Sequence, residues 1–251
     1  MEPFKAYSLY YDLLYREKDY QSEAKYILQL LSSFELNLES ILDFGCGTGK
    51  HDVIFANQGL SIHGVDVSES MIRQAKQYES GKLKFEVGDM RKHRLDKKFS
   101  AVISLFHVMS YQTENADLIN SFKNASYHLE KGGLFIFDCW FGPAVLNDPP
   151  TVRIKRLEDT HIKVVRITEP VMVPLKNTVL VNFDIHIEDT HSKSYSTVTE
   201  THKMRYLFYP EIAVIAEMTG FQIVKCEKWL GGGEPDINSW YATFVLQKCI
   251  D

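Results

Sequence analysis

Residues 41–50 read ILDFGCGTGK, an apolar run followed by a turn with glycine at every second position. Gly45, Gly47 and Gly49 allow the backbone to turn sharply and to approach a ligand closely, because glycine has no Cβ and tolerates positive φ. A helical pattern begins at Lys50. This succession of strand, glycine turn and helix predicts a binding site for a small molecule.

Two further strand-like segments carry an acidic residue near their carboxyl ends. Asp66 lies in LSIHGVDV, about 20 residues after Gly45, where a βαβ unit positions an acid for a ribose. Asp89 ends KLKFEVGD. Because ligands of open α/β sheets bind at the carboxyl ends of the strands, the sequence predicts a nucleotide-like ligand at this edge.

Two common nucleotide-binding patterns do not fit the glycine turn. The dinucleotide pattern G-x-G-x-x-G/A needs glycine or alanine where this chain has Lys50. The phosphate-binding pattern G-x-x-x-x-G-K-[ST] needs glycine at Phe44 and Ser or Thr at His51. What remains is D-x-G-x-G-x-G, which begins at Asp43, with an acid after the second strand and Gly-Asp after the third.

This set of motifs resembles the class I S-adenosylmethionine-dependent methyltransferases over residues 35–140. The resemblance implies an α/β fold with a Rossmann-like seven-stranded methyltransferase sheet. It also implies that the cofactor is S-adenosyl-L-methionine and the product S-adenosyl-L-homocysteine. The chain would then be an enzyme that transfers a methyl group.

The resemblance also assigns roles to individual residues. Asp43 and the backbone of the glycine turn would hold the methionine end of the cofactor, Asp66 the ribose hydroxyls, and Asp89 the adenine amine. Met71 and Met90 would lie on the faces of the adenine ring, although methionine at helical spacing also commonly fills a core. The cofactor-binding residues implied in this way are Tyr11, Tyr20, Asp43, Gly45, Cys46, Gly47, Asp66, Val67, Met71, Asp89, Met90 and Leu105.

The amino-acid composition of the chain indicates which class of molecule it acts on. The chain has 251 residues, and 45% of them are apolar, which is enough for one large α/β domain with an insertion. Its net charge is −5. Because phosphate neutralisation supplies most affinity for nucleic acid, an acidic chain without a Lys/Arg block argues for a small-molecule acceptor and against nucleic acid.

Cysteine usage and the apolar runs bear on the compartment. The four cysteines include no C-x-x-C pair, so neither a disulfide framework nor a zinc site is expected, and no metal is assigned. The amino-terminal segment lacks the pattern of a signal peptide, and the longest apolar run is broken by Asp138. We therefore expect a cytoplasmic protein without a membrane segment.

The amino-terminal residues are rich in tyrosine. Residues 20–34 have apolar positions at helical spacing, which predicts an amphipathic helix packed on the sheet. The stretch YDLLYREKDY before it resembles the entrance segment of amino-sugar and glycine-type N-methyltransferases. That resemblance would bring Tyr11 and Tyr20 near the cofactor, while a surface staple of tyrosines is the alternative.

The pattern becomes rich in β-branched residues after residue 150. Residues 1–150 and 210–251 are therefore assigned to the cofactor-binding core, and residues 151–209 to an inserted antiparallel sheet on the acceptor side. Because small sheets expose edges and an apolar face, a homodimer through this sheet is expected. Val179, Val181 and Ile187 would then be buried between subunits. A sheet folded back on its own core is the alternative.

Catalysis by this class of enzyme requires a lone pair on the acceptor, so a base is expected. The segment after the fourth strand, FSAVISLF, brings His107, Ser110 and Tyr111 to the cofactor edge. His107 and Tyr11 are the first candidates, and His202 is the next, with Arg205 and Tyr206 beside it on the acceptor side. A histidine with only a structural role is the alternative for both imidazoles.

The function that the resemblance implies is methylation of a small molecule, most directly the amine of a nucleotide-linked amino sugar. The amino-terminal segment, the inserted sheet and the length of the chain resemble that group. Two alternatives stay open at this point: a small-molecule O-methyltransferase, and a protein that binds S-adenosylmethionine without turnover.

Overall fold

The computed structural model describes residues 13–249. The strands within this range are β1 (Ser40–Phe44), β2 (Ser61–Asp66), β3 (Leu83–Val87), β4 (Phe99–Ser104), β5 (Leu129–Phe141), β6 (Arg153–Glu158), β7 (Ile162–Val173), β8 (Thr178–Asp189), β9 (Tyr195–Leu207), β10 (Phe221–Lys228) and β11 (Tyr241–Lys248). The α-helices are α1 (Tyr20–Ser32), α2 (Lys50–Asn57), α3 (Glu69–Ala75), α4 (Asn115–His128), α5 (Gly142–Asn147) and α6 (Tyr209–Met218). Short 3₁₀ segments cover Lys76–Tyr78, Val108–Tyr111 and Pro174–Lys176.

Seven strands form the core of the sheet in the order β3-β2-β1-β4-β5-β11-β10. The first five are parallel to one another, β11 is antiparallel to β5, and β10 is antiparallel to β11. The chain order reverses between β1 and β4, so the switch point of the sheet lies at the carboxyl end of β1. The predicted Rossmann-like seven-stranded sheet is confirmed.

Helices cover both faces of this sheet. On one face α1, α2 and α3 pack through apolar side chains such as Ile27, Phe55 and Ile72. On the other face α4 and α6 pack through side chains such as Phe122 and Ile212. A sheet covered on both faces leaves its strand ends as the accessible edge, and the carboxyl edge is where the cavity described below lies.

Local signals set the helix boundaries that position the site. Helix α2 begins after Gly49, which has φ of +76°. The predicted cap of α3 is confirmed, since the Ser68 hydroxyl accepts from the Met71 N–H at 3.4 Å. Helix α6 ends before Gly220, with φ of +81°, as predicted. Within residues 13–249, no helix combines the length and the apolar character that a bilayer crossing requires.

The four strands β6 to β9 form an antiparallel sheet in the order β9-β8-β7-β6. Among the described residues, its backbone pairs with the core sheet at two positions, Trp140 with Tyr206 and Phe141 with Leu207, where β9 runs parallel to the end of β5. The antiparallel strands predicted for this part of the chain are confirmed. In β6, however, both faces are largely exposed, so the predicted single wet face is wrong for that edge strand.

The predicted burial of Val179 and Val181 between subunits is wrong. Both side chains are buried within the chain itself, in a cluster with Val145, Met204 and Tyr206. Ile187, on the same face of β8, packs beside the cluster that contains Leu13, Leu14, Met71, Val164 and Ile185. The alternation along β8 was recognised, but this face covers the chain's own core and amino-terminal segment.

Two other features differ from the sequence prediction. Strand β5 begins at Leu129 and not at the Gly132-Gly133 pair, and the helix after Ser68 changes to 3₁₀ geometry at Lys76. Helix α5 was not predicted at all, because six residues at the end of an apolar run are too few for a helical period to be recognised.

Candidate active site

A cavity of about 490 Å³ lies at the carboxyl ends of β1, β2 and β4 and reaches the inward face of the inserted sheet. Of the predicted site residues, Tyr11 lies outside the described residues. Those within them line this one cavity: Tyr20, Asp43, Gly45, Cys46, Gly47, Asp66, Val67, Met71, Asp89, Met90, Leu105, His107 and His202.

The glycine turn is built so that its backbone faces the cavity. Gly45 has φ of +83°, and a Cβ there would lie 2.6 Å from the Val108 methyl carbons. The Gly45 N–H donates to the Val65 carbonyl at 2.7 Å, and the Gly47 N–H donates to Asp66 Oδ2 at 2.9 Å. Any larger side chain at Gly45 would therefore displace the 3₁₀ segment that follows β4.

Asp66 connects the glycine turn to helix α3. Its Oδ1 accepts from the Ser68 N–H at 2.8 Å, while Oδ2 accepts from Gly47. Burial raises the pKa of Asp66, and these two backbone donors oppose that rise. Each carboxylate oxygen has more than one acceptor site, so both retain capacity for a ligand hydroxyl.

Asp43 and Asp52 form a buried acidic pair beneath the turn. Their exposed fractions are 2% and 0%, and Asp43 Oδ1 and both Asp52 oxygens have no hydrogen-bond partner among the described residues. Burial together with the neighbouring carboxylate raises the pKa of Asp43, and burial raises the pKa of Asp52 to about 7. The pair therefore holds a proton near neutral pH, and of the two acids only Asp43 lines the cavity.

Asp89 is already engaged within the chain. Arg91 donates to both of its oxygens, at 2.8 Å and 3.0 Å from Nε and at 2.6 Å from Nη2, and also contacts Asp117 at 2.9 Å. This interaction lowers the pKa of Asp89. The carboxylate is thus ionised and fixed in orientation, and a ligand amine would share it with the guanidinium.

His107 is held rigidly at the end of β4. Phe106 and His107 both have positive φ, of 65° and 63°, which is rare for residues with side chains. The His107 imidazole pairs through Nδ1 with the buried carboxylate of Asp138 and stacks on Tyr241 with ring centroids 4.2 Å apart. Its Nε2 is therefore the nitrogen on the ring edge away from Asp138. Such strain is typical of functional loops.

His202 lies between two polar partners on the inserted sheet. Its Nδ1 is 2.8 Å from the Tyr111 hydroxyl, and its Nε2 is 3.1 Å from Glu200 Oε2. His202 and Glu200 are 4% and 8% exposed, while Tyr111 and His202 both line the cavity. The Phe183 ring packs against the imidazole, with centroids 5.0 Å apart. A three-residue hydrogen-bonded chain therefore ends at the cavity.

Three residues that were predicted to lie near His107 or His202 at the site do not line the cavity. Ser110 is buried and accepts from the Trp140 N–H at 3.0 Å. Arg205 points to the opposite face of β9, where it pairs with Glu211, because side chains alternate along a strand. Tyr206 is packed in the chain's own core.

The segment before α1 closes over the glycine turn. The Tyr15 ring meets Phe106 edge to face at 5.0 Å, and the Tyr20 ring lies 5.0 Å from His51. The Lys18 ammonium lies 4.4 Å from the Phe106 ring centroid and pairs with Glu23, which also contacts His51. These contacts fasten this part of the chain to the loop after β4 and to the start of α2.

Several cavity residues were missed by the sequence analysis. They are distant in the chain and carry no motif of their own: Tyr15, Gln112, Trp140, Phe183 and Met204, with Glu200 behind His202. Only Glu200 and Met204 had a usable signal, because alternation along β9 puts them on the same face as His202. Within residues 13–249, no group of three or more metal-ligating side chains is arranged to hold a metal ion.

The region that contains the glycine turn is similar to known proteins. Residues 41–133 match a family described as a methyltransferase domain. The chain is 36% identical over 140 residues to the dTDP-3-amino-3,4,6-trideoxy-alpha-D-glucopyranose N,N-dimethyltransferase of Streptomyces venezuelae, a stretch that covers 55% of this chain and 59% of that protein. It is 27% identical over 135 residues to the dTDP-4-amino-2,3,4,6-tetradeoxy-D-glucose N,N-dimethyltransferase of Saccharopolyspora spinosa, which covers 53% of this chain and 54% of that one. The aligned stretch thus spans little more than half the length of these relatives.

Solved structures extend the likeness to the whole chain. DesVI of Streptomyces venezuelae superposes with a TM-score of 0.79 at 25% identity and covers 99% of both chains. An S-adenosylmethionine-dependent methyltransferase of Clostridium acetobutylicum superposes with a TM-score of 0.82 at 20% identity and covers 98% of both chains. Because the Clostridium acetobutylicum protein is only 20% identical, its likeness concerns the fold alone, including the inserted antiparallel sheet.

Proposed function

Since residues 41–133 match a family described as a methyltransferase domain, we propose that this protein transfers a methyl group from S-adenosyl-L-methionine to the amine of a nucleotide-linked amino sugar. One observation carries the proposal. A single cavity contains both the glycine turn with its acids and polar side chains from the inserted sheet, so cofactor and acceptor would meet there.

The residues around the turn fit the cofactor. Asp43, which lines the cavity and has an unpaired Oδ1, suits the ammonium of its methionine end, and the Gly45 backbone can approach because no Cβ intervenes. Asp66 retains acceptor capacity for two ribose hydroxyls. Asp89 would share its carboxylate between Arg91 and the adenine amine, with Met71 and Met90 beside the ring.

The cofactor, when bound, supplies a methyl group that is already activated on a sulfonium. The protein has to align the acceptor with that methyl and exclude water, and alignment can lower the barrier by about 7–11 kcal/mol. It also has to accept a proton from the acceptor. His107, Tyr11 and His202 remain the candidates for that base.

The acceptor class is supported by the similar proteins whose names specify amino-sugar N,N-dimethylation. The inward face of the inserted sheet contributes Val181, Phe183, His202 and Met204 to the cavity, which gives an acceptor both apolar and polar surface. The net charge of −5 supports a small molecule over nucleic acid.

The direct test is methyl transfer from labelled S-adenosyl-L-methionine to a panel of acceptors. The panel should contain the dTDP-3-amino sugar named for the Streptomyces venezuelae relative, its 3-hydroxy counterpart and simple amines. We expect methylation of the amino sugar only. Methylation of the hydroxy counterpart would favour the O-methyltransferase alternative, and cofactor binding without transfer to any member would favour the protein without turnover.

We further propose that residues 1–150 with 210–251 form the cofactor-binding core and residues 151–209 the acceptor side. A homodimer would use the outward face and the edge strand β6 of the inserted sheet, where Ile154 and Val171 are 54% and 50% exposed. Edge strands with exposed apolar residues are commonly paired or covered. Sedimentation velocity at micromolar concentration should show a dimer, and Ile154→Lys should shift it to monomer.

The four free thiols support the proposed cytoplasmic location.

A further inference from the structure

We propose that Arg166, together with Lys155 and Arg153, binds the diphosphate of a nucleotide-linked acceptor where the inserted sheet borders the cavity. This inference rests on the proposed function and names the part of the acceptor that the inserted sheet recognises. It assigns a binding role, and no catalytic role, to three cationic side chains of β6 and β7.

The three cations lie on the inward face of the inserted sheet. Arg166 in β7 is directly opposite Lys155 in β6. Thr168, two residues further along β7, is opposite Arg153 on one side and Phe183 of β8 on the other. Residues directly opposite each other share a face of the sheet, and every second residue of a strand returns to it. Since Phe183 lines the cavity, all three cations are on the side of the sheet that faces the cavity.

The guanidinium of Arg166 is held in position but lacks an acceptor. Its central carbon lies over the Phe183 ring, 4.8 Å from the ring centroid. Its Nε is buried and has no hydrogen-bond partner among the described residues. A buried donor without a partner is costly and calls for a ligand, an ion or a water. Because a guanidinium presents its donors as a fork that matches two phosphate oxygens, a phosphate group suits this position.

The residues directly opposite Arg166 do not neutralise its charge. They are Lys155 in β6, a second cation, and Ile185 in β8, which is apolar. Like charges directly opposite each other destabilise a sheet. Lys155 Nζ donates to the Leu14 carbonyl at 3.0 Å, and an ammonium has three donors, so this bond does not exhaust it. An anion bound between the two cations would relieve their repulsion.

Arg153 extends the positive charge towards the loop after β4. Burial raises the pKa of the Tyr241 hydroxyl, and the charge of Arg153 opposes that rise, so the two side chains are within electrostatic range of each other. The Tyr241 ring stacks on His107, which lines the cavity. A diphosphate held by Arg166 would therefore direct the attached sugar past Phe183 into the cavity.

Kinetics with two forms of the acceptor test this role. Arg166→Gln removes the charge, Arg166→Lys keeps the charge without the fork, and Arg156→Gln, exposed on the outward face of β6, is the matched control. With the dTDP-3-amino sugar, we expect Arg166→Gln to raise KM by about 10–100-fold with kcat little changed, and Arg166→Lys to raise it less. The same amino sugar without its nucleotide carrier should react equally well with the wild type and with Arg166→Gln. A wild-type KM in Arg166→Gln, or an equal loss with both acceptors, would overturn the inference.

A binding measurement tests the site without turnover. In titration calorimetry with S-adenosyl-L-homocysteine present, the wild type and Arg156→Gln should bind dTDP, and Arg166→Gln should have a Kd about 10–100-fold higher. Arg153→Gln, at an exposed position, should also weaken binding and serves as the test if Arg166→Gln does not fold. Thymidine, which has no phosphate, should not distinguish Arg166→Gln from the wild type. Inorganic pyrophosphate that binds as tightly as dTDP would assign the site to a free anion and overturn this role.

The two assays separate this inference from the proposed function. Binding of dTDP that depends on Arg166, with no methyl transfer to any acceptor, would count against the proposed function and support the diphosphate site. Methyl transfer to the amino sugar, with unchanged dTDP affinity in Arg166→Gln, would overturn the diphosphate site and leave the proposed function standing.

Discussion

Replacing Asp66 with alanine should weaken cofactor binding more than any other single change in the turn. The carboxylate would make two charge-assisted hydrogen bonds to the ribose, each worth about 1.5–3 kcal/mol. Together these amount to about 3–6 kcal/mol, or a 10²–10⁴-fold higher Kd. The change also leaves the Gly47 and Ser68 N–H groups without their present acceptor, which adds disorder in the turn itself.

Titration calorimetry with S-adenosyl-L-methionine and S-adenosyl-L-homocysteine measures this directly. Both ligands carry the ribose, so both should lose the same factor in Asp66→Ala. Asp148→Ala, at an exposed loop position, is the matched control and should bind as the wild type does. Circular dichroism should show that the variant is folded before its affinity is interpreted.

The pH dependence gives the assay a second arm. Because burial raises the pKa of Asp66, the carboxylate becomes protonated at a higher pH than an exposed aspartate. Wild-type affinity should therefore fall as the pH is lowered towards the acidic range, whereas Asp66→Ala should show less of this fall. Wild-type affinity in Asp66→Ala, or equal pH dependence of the two proteins, would refute the assignment of Asp66 to the ribose.

Three other predictions concern stability. Asp52→Asn should raise the free energy of unfolding at pH 8 by up to about 4 kcal/mol, because the raised pKa of about 7 means that the folded state loses stability as the pH rises from about 4 to about 7; denaturant titrations at pH 8 and pH 5 should show a clearly smaller gain at the lower pH. Gly45→Ala should lower the melting temperature more than Gly47→Ala, since both strain a positive φ but only the first Cβ would meet Val108, and equal losses would contradict the predicted clash. His107→Ala should destabilise the fold by about 1–3 kcal/mol because Asp138 loses its partner, and an additional Asp138→Asn should recover part of that loss in a denaturant titration.

The part of the cavity around the glycine turn was predictable because its signals are local. The spacing of the glycines, the cap at Ser68 and the acids at the ends of β1 and β2 are each determined by a few neighbouring residues. Once the strands are parallel and adjacent, their carboxyl ends must meet. For this reason the predicted cofactor residues within residues 13–249 line one cavity.

The part of the cavity formed by the inserted sheet could not be predicted to the same extent, because it depends on pairings between distant strands. The sequence shows that side chains alternate along β8 and β9, but not which face is covered. Val179 was therefore assigned to a subunit interface although it is buried in the chain's own core. Arg205 was likewise assigned to the cavity although it lies on the other face, while Glu200, two residues before His202 on the same face of β9, was overlooked.

Buried acids show a related limit. Asp52 lies inside a short amphipathic helix and reads as a solvated residue, and Asp138 reads as an interruption in an apolar strand. Their environments follow from the packing of α2 beneath the turn and from the chain path after β4. Neither buried environment can be predicted from the few residues on either side of the acid in the sequence.

The junction between the two sheets has a consequence for how new acceptor preferences can arise. The inserted strands are connected to the cofactor-binding part by two rungs of backbone pairing and by the chain itself at each end. A segment such as residues 153–207 from another protein would need to reproduce that short pairing, the apolar cluster with Val145 and the polar contacts of His202 and Arg205. Under the proposed division of roles, chimeras made at this junction should keep the cofactor binding of the recipient and take the acceptor preference of the grafted segment.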